Sequence, residues 1–170
     1  LAPTTFGSGG GDGNEAGRIV GKGGGMINLN LANTLTINGT IITNGNDGVK
    51  DTGGGAGGSI YITTRNLTGS GKFTSDGGHG GDGSQDGGGG SGGRIAVYYN
   101  DSTFTGIENS SVMRGGAYTT AGVGSPGTMI FVDENSEIAT IRSGFRFQGG
   151  VGVANESVNT TFYNTDNPNS

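Results

Sequence analysis

The fold this sequence predicts is all-β: a right-handed parallel β-helix, or solenoid, of roughly 34-residue coils with stacked Gly-rich arcs. Three observations carry that reading. The glycines Gly25, Gly58, Gly93 and Gly127 stand 33, 35 and 34 residues apart, and each opens a short apolar strand. Those strands alternate, so Ile27 and Leu29, Ile60 and Ile62, Ile95 and Val97, and Met129 and Phe131 each face one side. The glycines themselves concentrate in arcs at one phase of every repeat. The right hand follows from the general preference of parallel connections.

Composition removes the competing classes. Glycine supplies 41 of 170 residues and the hydrophobic class only 29%, too little apolar material for a conventional sandwich or bundle. A narrow solenoid core needs few inward side chains per coil, so the shortage suits it. Proline is scarce at 3 residues and no three-residue glycine period runs through the chain, which excludes a collagen helix. The net charge is −5 and the nine Lys and Arg are scattered, so no basic stripe is present for nucleic acid. No apolar run reaches the roughly 20 residues of a membrane span. The start at Leu1, without a signal-peptide pattern, reads as a mature form or a part of something longer.

Taken in order, residues 1–17 form a tail and the first Gly-rich arc, 18–150 the repeats, and 151–170 a terminal strand and tail suited to subunit contact. In the first repeat Ile27, Leu29 and Leu31 point one way, Asn33 turns the chain, and Leu35 and Ile37 continue it. A second strand is expected over 40–43. The next repeats follow the same order through Asn66, Leu67 and Phe73, then through Asn100, Phe104, Val112 and Met113. The predicted ladders are Ile27–Ile60–Ile95–Met129 and Leu29–Ile62–Val97–Phe131. The arcs are expected to stack as extended, polyproline-II-like segments in Cα–H···O contact. Ile138, Ile141, Phe145 and Phe147 suggest a further coil or a cap.

Six asparagines fit the N-x-S/T acceptor pattern: Asn38, Asn66, Asn100, Asn109, Asn155 and Asn159. Chance placement would give roughly three, so the enrichment points to N-glycans and a secreted, cell-surface protein. The absence of cysteine is compatible with that compartment. Asn66 and Asn100 also fit as corner residues, since asparagine tolerates tight backbone turns.

The stretches GGGAGGSIYI and GGGGSGGRIAV, with the L-T-G-x-G of residues 67–71, resemble Gly-rich β-helix segments of large secreted plant, algal and protist surface proteins. That resemblance spans roughly residues 17–132. It implies a structural role in extracellular fibres such as flagellar hairs, and it carries no active-site residues.

Chemistry is sparse. Residues 77–85, GGHGGDGSQ, approach the calcium-binding β-roll nonapeptide, which makes Asp82 the metal candidate, but one copy supplies half a site. Gly78-His79-Gly80 and Asn164-Thr165-Asp166 resemble two short polygalacturonase elements, in reversed order and without the paired acids that glycoside hydrolysis needs. No enzyme is expected and no cofactor beyond covalent glycans and that calcium candidate. Tyr61, Tyr98 and Tyr99 read as outward, with Tyr61 and Tyr98 placed to stack on sugar rings. The expected function is a structural subunit of an extracellular glycoprotein filament or coat, a homo-oligomer joined through its β-helix ends, with other surface proteins or polysaccharide as further partners. The alternative is a carbohydrate-binding or adhesive module of a larger surface protein.

Overall fold

The computed structural model describes residues 2–13, 18–117, 121–135, 138–143 and 158–163, the last two stretches by their backbone pairing. It is a β-solenoid of about three turns. The strands are β1 (Met26–Thr36), β2 (Thr40–Ile42), β3 (Ser59–Thr68), β4 (Lys72–Thr74), β5 (Arg94–Ser102), β6 (Thr128–Asp133), β7 (Ile138–Ser143) and β8 (Val158–Tyr163). A 3-10 turn spans Ile107–Asn109. The main sheet runs β1-β3-β5-β6-β7-β8, and β2 pairs β4 in a second, two-stranded sheet.

Pairing is parallel from β1 to β6 and both predicted ladders form in register. Ile27 meets Ile60, Ile60 meets Ile95 and Ile95 meets Met129, while Leu29, Ile62, Val97 and Phe131 align two residues on. At β7 the pairing turns antiparallel, and β8 follows in the same sense. The parallel repeat therefore ends at Asp133. Phe145 and Phe147, offered for a further coil, lie outside the described residues.

The core fills the space between the two sheets. Ile60, Ile62, Leu67, Phe73 and Val97 are fully buried. Phe73, Phe104 and Phe131 pack as a triangle, Phe73 lying 5.5 and 5.8 Å from the other two ring centres and those two 6.3 Å apart. Three aromatic rings thus supply bulk that each short coil lacks in aliphatic side chains. The first coil is different: Ile27, Leu29, Leu35 and Ile41 remain half-buried, and Leu31 and Ile42 are exposed.

The Gly-rich arcs stack as expected, but conventional N–H···O bonds hold them. Gly53, Gly54 and Gly55 donate to the carbonyls of Gly11, Gly88 and Asn46. Three residues on, Ala56, Gly57 and Gly58 donate to Ser8, Ser91 and Thr43, all six bonds between 2.7 and 2.9 Å. Consecutive residues thus address three different neighbours and the pattern repeats every third residue, the periodicity of polyproline II. Such a backbone makes no internal bonds, so its amides are free to bond sideways. Residues 21–24, 53–58, 87–93 and 122–127 form one parallel row, and 43–48, 75–81 and 112–116 run antiparallel beside it. Residues 7–11 lie across 21–24 and 53–58 on the other side. At the closest approaches there is no room for a side chain: a β-carbon on Gly58 would strike the carbonyl oxygen of Gly25.

Within the parallel row every bond runs the same way. Gly21 and Gly24 donate to the second segment, Gly54 and Gly57 to the third, and Gly89 and Gly92 to the fourth. The next donors in the series are Val123 and Pro126, and proline has no N–H.

The asparagine corners are not corners. Asn33, Asn66 and Asn100 lie inside β1, β3 and β5, which run on past them. The register slips between Leu31 and Thr34, so Thr34, not Asn33, opposes Asn66. The buried Thr64 hydroxyl donates to the Asn33 carbonyl at 2.7 Å and stabilises that irregularity. The sharper change of direction lies at 37–39 and 69–71. There Gly69 adopts φ 104°, a conformation glycine alone reaches cheaply, which accounts for the L-T-G-x-G stretch.

Candidate functional site

Among the described residues, the sequence-predicted ones fall into separate surface groups. The first group is the end formed by the first coil. β1 is an edge strand of 11 residues, paired on one side to β3. Beside it Ile27, Leu29, Leu35 and Ile41 are half-buried, and among the described residues no earlier coil covers them. β8 is the opposite edge of the same sheet.

The second group is the tyrosines. Tyr61 and Tyr98 touch on the outer face of the main sheet with ring centres 5.8 Å apart and planes at 76°. They meet diagonally, since Tyr61 opposes Ala96 and Tyr98 opposes Thr63. An edge-to-face pair presents two perpendicular faces, so a sugar ring would stack on one tyrosine at a time. Desolvation, followed by the nearby Tyr61 and Glu134, raises the Tyr98 phenol above its ordinary range. Tyr99, read as outward, has the parity of Ile95 and Val97 and packs against the core. Burial first, then Asp133, raises its phenol too. The strand period puts Tyr98 and Tyr99 on opposite faces, and this signal was readable in the alternation itself.

The third group is the sequons. Asn38 and Asn109 are exposed, the first in the bend between β1 and β2 and the second at the end of the 3-10 turn. Asn66 and Asn100 are half-buried, and their side-chain amides donate to Thr34 Oγ1 and Asn135 Oδ1, both at 3.2 Å. Asn159 falls within β8 and Asn155 lies outside the described residues. Asp82 is exposed, and no cluster of three metal-ligating side chains is present among the described residues.

Sequence reading missed a set of side chains that cap the next coil. Asn44 Oδ1 accepts the N–H of Asp76, Asp47 Oδ1 that of His79, and Asp51 Oδ1 that of Gln85. Asp76 in turn accepts Met113 N–H and the Ser111 hydroxyl. His79 Nδ1 accepts the N–H of Gly116 at 3.0 Å, which gives this histidine a structural task in the ladder. Their offsets of 32 to 37 residues follow the repeat, so an Asn or Asp one coil below a segment break is the signal that finds them. Asp51 also pairs with Arg18. The Gln85 N–H, ahead of Arg18, holds the Asp51 carboxyl below its usual range.

These features define a parallel β-solenoid with a hydrogen-bonded glycine layer, one open core end and a solvent face carrying a tyrosine pair. Comparison with known protein families, curated proteins and solved structures found no match. No helix among the described residues is long and apolar enough to cross a membrane.

Proposed function

We propose that this protein is a structural subunit of an extracellular glycoprotein filament or surface coat, assembling through the ends of its solenoid. The observation that supports this reading is the contrast between coils: Ile60 and Ile62 are 0% exposed, whereas Ile27 and Leu29 of the same ladders are half-buried. Uncovered strand edges with apolar flanks pair with further strands. β8 of one copy added to β1 of the next would continue the main sheet across the junction. A contact between two unlike surfaces does not close on itself and propagates as a filament. Glycans at Asn38 and Asn109, on exposed bends, would keep the sides of that filament apart.

Sedimentation velocity over a concentration series, with electron micrographs of the glycosylated protein, tests the reading. Long regular polymers are expected, and Leu29→Lys at the open end is expected to abolish them while the monomer stays folded. A monodisperse monomer at every concentration would overturn it.

The contact between Tyr61 and Tyr98 favours one second reading, a carbohydrate-binding or adhesive module of a larger surface protein. Its test is polysaccharide binding by the native chain, lost in Tyr61→Ala. Binding without assembly would replace the first reading with this one.

A further inference from the structure

Two asparagines in this chain precede glycine, Asn38 before Gly39 and Asn44 before Gly45. The pair matters because a glycine on the C-terminal side has no β-carbon to keep its backbone nitrogen from the preceding carboxamide. The fold treats the two dipeptides oppositely. At Asn44 both reacting groups are held: the Gly45 N–H donates to the Asp76 carbonyl at 2.8 Å, and Oδ1 accepts Asp76 N–H at 2.9 Å. Gly45 is also packed against the backbone of Gly55. At Asn38 the residue is exposed, and among the described residues no hydrogen bond engages the Gly39 N–H. Oδ1 has only a long contact, 3.4 Å, from the Ser70 N–H. A β-carbon on Gly39 would meet nothing within 4 Å, so its surroundings are open.

We propose that Asn38 is a site of spontaneous deamidation and that the fold protects Asn44 from the same reaction. The Gly39 backbone nitrogen attacks Cγ of Asn38, forming a new C–N bond. The Gly39 amide proton and the carboxamide nitrogen leave together as ammonia, which gives a cyclic imide. Water then opens the imide at either carbonyl and yields aspartate or isoaspartate. No oxidant or cofactor takes part.

The location gives the reaction a consequence. The Ile37 carbonyl accepts Gly71 N–H and the Gly39 carbonyl accepts Lys72 N–H, so the two bonds bracket Asn38. Isoaspartate inserts one methylene into the backbone between them and adds a negative charge. Register between β2 and β4 is set at that point, next to the open first coil. A glycan on Nδ2 of Asn38 would remove the simple ammonia leaving group, so glycosylation and deamidation are exclusive fates of this residue.

The experiment uses the full chain made without glycans, aged at mildly alkaline pH and analysed by peptide mapping with an isoaspartate-specific methylation assay. Asn38 is expected to gain about 1 Da. Conversion at Asn44 is expected to be at least about tenfold slower, because the Gly45 N–H must first be released by local opening. In denaturant the two rates are expected to converge. Gly39→Ala is expected to slow Asn38 with an unchanged unfolding midpoint. Equal rates at the two sites in the folded protein, or an inert Asn38, would overturn the proposal.

Discussion

Gly93 donates its N–H to the Ser75 carbonyl at 2.6 Å, and a β-carbon on Gly93 would collide with the Ser75 hydroxyl and the Gly58 carbonyl. The Ser75 hydroxyl is itself committed, donating to Gly58 O at 2.9 Å and accepting from Thr43 Oγ1 at 3.0 Å. Strand and glycine layer are fastened together at this buried junction, so glycine content here reflects distance between backbones more than flexibility.

Gly93→Ala should therefore destabilise the fold by at least about 2 kcal/mol, because the backbones must separate and buried hydrogen bonds stretch. Gly39→Ala, with open space around it, should stay within about 0.5 kcal/mol of the parent. Urea unfolding of the two variants checks the contrast, and equal effects would refute close packing as the reason for the arcs.

Ile62 and Leu29 are neighbours in one ladder, yet Ile62 is 0% exposed and Leu29 half-buried. Ile62→Ala should cost about 3–4 kcal/mol and Leu29→Ala about half that in the monomer. The difference should shrink as protein concentration rises, since a docked partner would cover Leu29. A gap that is independent of concentration would count against assembly through this end.

Acidification should expose the Asp51 interaction. Its folded carboxyl is held below the ordinary carboxylate value, first by the Gln85 N–H and also by Arg18, so the unfolded state binds the proton more readily. The stabilisation is fully present above the ordinary carboxylate value and is lost as pH falls through the lower folded one. Unfolding midpoints measured through that acid window should drop in the parent. In Asp51→Asn that step should be missing, and an unchanged profile would assign the acid sensitivity to other carboxylates.

Repetition determined most of this fold in advance. A glycine followed by an alternating strand at 33 to 35 residue intervals specified which residues stack, and Ile60 over Ile27 and Val97 over Ile62 follow from period and parity alone. The tyrosine contact was within reach of the same logic. Alternation along β5 likewise puts Tyr99 on the core side with Ile95 and Val97, although it adjoins the outward Tyr98 in sequence.

Tertiary structure decided where backbone polar groups find partners. Glycine arcs carry no side-chain pattern, so nothing in residues 53–58 announces that consecutive amides address three different segments. The antiparallel turn at β7 and the capping of Gln85 by Asp51 likewise depend on which segments become neighbours. The physical reason is a division of labour. Apolar side chains encode the core locally, through period and face, whereas an amide's partner is fixed only once distant coils lie one hydrogen bond apart.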